Sequence, residues 1–188
     1  MKSLFIFVEG PTDETFFENI IKPRIKDKYT SIKIIPYRNK KKDKIDGHVK
    51  SIKRMGAEYI YTCDLDHSCD SEKVRETKIN EKINNIANGN PSLEEDRITI
   101  IIQEIESWYL AGIKENLYKK VGIRNSKKIP NYELISKEMF RSFCDKEDYS
   151  SVMLNILECY DFGYAIENNR SLKEFSEKYI KSKLNQNN

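Results

Sequence analysis

Six acidic residues stand where apolar runs of this chain come to an end. Glu9 follows SLFIFV, Asp13 comes four residues later, Asp64 and Asp66 close EYIYTCDLD, and Glu104 and Glu106 follow RITIIIQ. Carboxylates gathered in one pocket repel one another, so such a site is costly unless divalent cations share it. Oxygen-only ligands favour Mg²⁺ or Mn²⁺ over Zn²⁺. Two such ions about 4 Å apart can activate an attacking water and stabilise the leaving oxygen when a phosphodiester is cleaved. The chemistry indicated is therefore cation-assisted phosphoryl transfer.

Four short apolar runs must position these side chains. SLFIFVEG is bounded by Gly10 and Pro11 and reads as a strand buried on both faces, and SIKIIPY, EYIYTCDLD and RITIIIQ follow as further strands. Between them lie helical patterns. Pro11 and Thr12 open a helix carrying Phe16, Phe17, Ile20 and Ile21, which Pro23 is expected to kink or end. A second is expected from Asp46 to Arg54, closed by Gly56. A third, mostly exposed, runs from a cap at Asp70 to Gly89 and Pro91. EIESWYLAG starts another helix directly after the fourth strand.

Strands alternating with helices over residues 1–112 predict an α/β fold, with a mainly parallel, Rossmann-like sheet of about four strands flanked by helices. In such sheets ligands bind at the carboxyl ends of the strands. Parallel strands would thus bring Glu9, Asp64, Asp66, Glu104 and Glu106 to one edge, with Asp13 facing back toward it. Residues 113–188 show aromatic and aliphatic residues at helical spacing and no convincing strand. They read as a helical C-terminal extension, with Ser171 capping the last helix.

Charge is distributed unevenly. From Lys22 to Arg54 there are thirteen Lys and Arg against three Asp, whereas the whole chain of 188 residues is only +3, so the remainder is acidic. A basic arm joined to an acidic body suits a polyanion on one surface and cations on another. Arg38, Lys40, Lys41, Lys42 and Lys44 fall in an expected loop after the second strand and would contact a nucleic-acid backbone without reading its sequence. No window reaches the roughly 18 apolar residues of a membrane span, and no secretory leader is apparent, so a cytoplasmic protein with reduced cysteines is expected.

A strand ending in Glu-Gly, an acidic residue four positions on, and a later strand ending in Asp-x-Asp together resemble the Toprim domain. VEGPTDETFF is particularly similar to OLD-family and stand-alone Toprim versions. QEIESWYLAG and NRSLKEF resemble small stand-alone Toprim-like proteins of bacteria and archaea. The resemblance implies a Mg²⁺-dependent nuclease acting on DNA or RNA, in which Glu9, Asp64 and Asp66 are catalytic metal ligands and Asp13, Glu104 and Glu106 complete a second site. It further implies a role in defence against phage or mobile elements, with a homodimer or a partner protein. The chain offers no additional domain for a topoisomerase tyrosine or for primase parts, which favours cleavage by water.

Other readings stay open. A phosphatase or phosphotransferase would use the Asp64/Asp66 pair, and a non-catalytic Toprim-like module would bind nucleic acid and leave catalysis to a partner. Cys63, His67 and Cys69 lack a fourth ligand at zinc spacing, and VEGPTDET lacks the Lys-Ser/Thr of a P-loop. Trp108 is better suited to filling a core than to stacking on a base.

Overall fold

Four strands form one all-parallel sheet: β1 (Lys2–Val8), β2 (Tyr29–Pro36), β3 (Glu58–Asp64) and β4 (Ile98–Ile101), in the order β2-β1-β3-β4. The structure is a computed structural model that describes residues 2–65, 72–124, 129, 131–144 and 149–181. From β1 the chain steps outward to β2, then returns to the other side of β1 to lay down β3 and β4. The direction of winding therefore reverses between β1 and β3, which opens a crevice at their carboxyl ends.

The two central strands, β1 and β3, are covered on both faces. On one face Phe7, Tyr59, Tyr61, Cys63, Ile98 and Ile100 pack with Ile45, Val49 and Ile52 of α3 (Lys42–Arg54) and with Ile79, Ile83 and Ile86 of α4 (Glu72–Gly89). On the other face Leu4, Ile6, Val8, Ile60 and Thr62 are also buried. Each large aliphatic or aromatic side chain so removed from water stabilises the fold by about 1.5–3 kcal/mol.

After β1, α1 (Pro11–Phe16) continues through a π-helical stretch (Phe17–Ile21) into α2 (Lys22–Ile25). Pro23, expected to kink or end this helix, stands two residues beyond the π-helical stretch, and the helix ends two residues after it, at Ile25. The wider π turn just before it relaxes the crowding between the proline ring and the preceding carbonyls, and Pro23 falls in the first turn of α2, where its missing N–H costs little. The start of α3 differs from expectation. It begins at Lys42, so Lys42 and Lys44 lie on a helix and not in a loop. Lys41 at its N-cap makes no side-chain capping bond, so the usual signal for a helix start is missing. At the other end Gly56, at φ 64°, closes α3 as expected: the Gly56 N–H bonds Lys53 O (3.0 Å) and the Ala57 N–H bonds Ile52 O (3.1 Å).

The chain divides into two units, 1–101 and 102–188, so the boundary falls before EIESWYLAG and not after it. Within the described residues the second unit contains α5 (Glu106–Ala111), α6 (Tyr118–Val121), α7 (Lys137–Phe143), α8 (Tyr149–Glu158), α9 (Phe162–Asn168) and α10 (Arg170–Phe175). Trp108 is fully buried there, against Phe175 at 5.5 Å between ring centroids. Its Nε1 donates to Ser171 Oγ (2.8 Å), which in turn donates to Asn169 Oδ1 (2.9 Å). The cap of α10 is therefore Asn169, whose side chain accepts from the Leu172 N–H, and Ser171 serves Trp108 instead.

Candidate functional site

Glu9 is the first residue beyond β1, at the point where the winding reverses. The main chain keeps pairing past the strand ends: the Tyr37 N–H donates to Val8 O and the Arg38 N–H to Glu9 O, both at 2.9 Å. This carries Arg38 alongside Glu9. Gly10 then caps α1, and Asp13 reaches back from the first turn so that its Oδ2 accepts from the Gly10 N–H at 3.2 Å. Asp13 is thus a buried, turn-holding carboxylate four residues from Glu9.

Asp64 ends β3, the strand next to β1, and it too is buried. Alternation along β3 places it on the sheet face of Ile60 and Thr62, whereas Tyr61 and Cys63 take the other. The β3–β4 ladder continues one step further, since the Leu65 N–H donates to Ile101 O (2.9 Å). Asp66, the second aspartate of the pair, lies outside the described residues, as do His67, Cys69 and Asp70.

Glu9 opens onto a cleft of about 410 Å³ on the sheet face covered by α3 and α4, with Tyr37, Tyr61 and Cys63 in its wall. Arg38 and Lys40 come from the turn after β2, Lys42 and Ile45 from α3, and Lys82, Asn85, Ile86 and Asn90 from α4 and its end. Arg38, Lys40 and Lys42 form no salt bridge among the described residues. Lys40 Nζ donates to Pro36 O, and Lys42 Nζ sits close to Gly89, 3.0 Å from where a β-carbon there would stand. Lys41 and Lys44, grouped with these cations in the sequence, do not line the cleft.

The two tyrosines are stacked, 4.6 Å between centroids. Burial, above all, pushes the Tyr37 phenol far above its usual value, reinforced by Tyr61, Cys63 and Glu9; burial likewise raises Tyr61. Both therefore remain protonated at neutral pH, and Tyr37 Oη donates to Thr62 O at 2.8 Å. Asp46, on α3, links that helix to the segment beyond α4. Its Oδ1 accepts from the Ser92 N–H (2.8 Å) and its Oδ2 pairs with Lys50 (2.8 Å).

Glu104 and Glu106 belong to the second unit, and both have partners within it. Glu104 Oε2 accepts from the Lys137 N–H at 2.5 Å, in the first turn of α7. Glu106 is buried and accepts from the Tyr149 hydroxyl, and burial raises its pKa above the usual glutamate value. The Arg141 guanidinium lies 5.1 Å from the centroid of the Tyr149 ring. Gln103, just before Glu104, adopts φ 66°, an uncommon conformation for a residue with a side chain.

Among the described residues no group of three or more His, Cys, Asp or Glu side chains is placed to hold a metal ion. Nor does any described helix have the length and apolarity needed to cross a membrane. The sequence reading did not single out Lys82, Asn85 or Asn90. Their helix looks solvated, and the available signal was the Ile79, Ile83, Ile86 stripe, which shows that one side of it is covered. No family model, curated protein or solved structure matches the chain.

Proposed function

We propose that the chain is a cytoplasmic, Toprim-like nuclease that cleaves phosphodiester bonds of DNA or RNA with Mg²⁺ or Mn²⁺, in the setting of phage defence that the sequence resemblance implies. The observation that carries this reading is the pairing of charge at the β1/β3 reversal. Glu9 and Asp64 end neighbouring parallel strands there, and among the described residues the other charged side chains that line the cleft onto which Glu9 opens are cations, Arg38, Lys40, Lys42 and Lys82. A carboxylate beside cations suits a phosphodiester, whose charge the cations hold while Glu9 acts on the reacting groups; Asp64 ends the neighbouring strand on its opposite face.

Glu9, Asp13, Asp64 and Asp66 offer only oxygen donors, the kind that Mg²⁺ or Mn²⁺ takes; Glu9, Asp13 and Asp64 are not by themselves placed to hold an ion, and the proposal has them do so together with Asp66. Such an ion supplies Lewis-acid activation of water and neutralises charge at the scissile phosphate. The chain's own part is to grip the backbone through Arg38, Lys40 and Lys42 and to orient the attacking water through Glu9. Glu104 and Glu106 already serve as acceptors in the helical unit, and the proposal does not require them.

The test is incubation of the protein with plasmid, single-stranded DNA and RNA in Mg²⁺, Mn²⁺ or chelator, beside Glu9→Ala. Cleavage is expected only with the ion and should fall by about 10²-fold or more in the variant. Equal cleavage by Glu9→Ala overturns the assignment. Tight binding with no turnover under any condition supports instead a non-catalytic module.

A further inference from the structure

The Glu9 cleft has a shape and a lining that say which form of nucleic acid it takes. Its volume of about 410 Å³ is near the small end for ligand pockets, which run from about 300 to 1,000 Å³. That is room for one nucleotide and too little for a base pair. Three cations without salt bridges among the described residues, Arg38, Lys40 and Lys42, converge on it together with Lys82. Like charges gathered around one opening repel, and an anion between them relieves that repulsion.

A second observation points to more than a bare anion. Asn90 is 3% exposed and lines the cleft; its Nδ2 donates to Ile86 O (3.0 Å), whereas its Oδ1 is buried with no hydrogen-bond partner among the described residues. A buried acceptor left this way costs free energy that a ligand donor recovers. Phosphate at neutral pH is mainly an acceptor. Sugar hydroxyls and base amino groups are donors, and Asn85, five residues earlier on α4, also lines the cleft and adds an amide.

We propose that this cleft seats a single unpaired nucleotide of a strand, its phosphate among Arg38, Lys40, Lys42 and Lys82 and its base or sugar against Asn85 and Asn90, so that the protein selects single-stranded over duplex nucleic acid. The proposal rests on the nuclease reading for its assignment of the ligand to nucleic acid. It adds to that reading a class of substrate and three residues of α4 and its end.

The test is fluorescence anisotropy of the full chain in chelator, so that cleavage plays no part, with a labelled 12-nucleotide strand and the corresponding duplex. The strand is expected to bind at least about tenfold more tightly. Lys82→Gln should weaken strand binding about 3- to 10-fold and lower the slope of log K against log salt by about 0.7, the value for one phosphate contact on a single strand. Lys26→Gln removes the same charge from an exposed position outside the cleft and should stay within about twofold. A nucleoside monophosphate should displace the strand at a lower concentration than inorganic phosphate does.

Duplex bound as tightly as the strand overturns the proposal. So does an equal effect of Lys82→Gln and Lys26→Gln, or competition by phosphate equal to that by the nucleotide. A free monophosphate that binds more tightly than the strand also overturns it, making this a nucleotide pocket. A protein that binds as described but cleaves nothing with Mn²⁺ keeps this inference and loses the nuclease reading. One that cleaves yet prefers duplex loses this inference alone.

Discussion

Replacing Gly112 with alanine tests how the helical unit holds α5, the element that carries Glu106. Gly112 caps α5 at φ −89°, a backbone that alanine adopts freely, so the effect must be steric. A β-carbon there would stand 2.2, 2.4 and 2.5 Å from three carbons of the Tyr160 ring. Ordinary contact begins near 3.4 Å, so the ring must retreat by about 1 Å. That ring is not free to move without loss. Its hydroxyl donates to Trp108 O (2.8 Å), and the adjacent Asp161 N–H donates to Gly112 O (2.9 Å). Overpacking costs about 1–3 kcal/mol and a lost hydrogen bond about 1 more, so Gly112→Ala should destabilise by about 2–4 kcal/mol. For a chain of this length each kcal/mol lowers Tm by about 2–4 °C, which gives a fall of about 10 °C in a calorimetric melt. Tyr160→Ala combined with Gly112→Ala should cost less than the two single changes together, because the clash is then absent. A fall in Tm under about 2 °C, or strict additivity, would refute the reasoning.

Glu106→Gln should make the protein more stable at neutral pH and leave cleavage intact. Burial raises the Glu106 pKa, so the folded state holds this proton more firmly than the unfolded chain does. Stability is complete below the ordinary glutamate value of about 4.3 and declines as pH rises through the folded-state pKa; glutamine, which still accepts from Tyr149, has no proton to lose. Denaturant melts at pH 4 and pH 8 check this, and parallel behaviour of the two proteins would contradict it. Asn169→Ala should cost about 2–3 kcal/mol by the same kind of melt, since one side chain accepts from the Leu172 N–H and from Ser171 Oγ, which itself accepts from Trp108. A loss below about 0.5 kcal/mol would show that the Asn169 cap does not stabilise α10.

The sheet was legible because its signals are local. Apolar runs bounded by Gly and Pro gave four strands, and their alternation with helices gave parallel pairing, as observed. Helix boundaries were less accessible where charge or backbone geometry replaces the usual signal. Lys41 starts α3 without a capping side chain, and a π turn lets a helix run two residues past Pro23. Ser171 is a good cap by type, yet a contact with Trp108, 63 residues away in sequence, claims its hydroxyl and leaves the cap to Asn169. Such long-range competition has no local trace.

The candidate site was legible in part for the same reason. Glu9 and Asp64 stand at strand ends and Asp13 in the first turn of α1, where sequence shows them. Lys82, Asn85 and Asn90 reach the cleft only because α4 packs across the sheet, and the partners of Glu104 and Glu106 come from α7 and α8, more than 30 residues on. Those placements depend on packing, which the order of residues does not display.

The most direct test of the account is a titration of Mn²⁺ followed by electron paramagnetic resonance, on the wild-type protein and on Glu9→Gln and Asp64→Asn. If the carboxylates at the β1/β3 reversal hold a divalent ion, the wild-type protein depletes the free Mn²⁺ signal and each variant binds at least about tenfold more weakly. Absence of binding by the wild-type protein, or affinity unchanged in both variants, would contradict it.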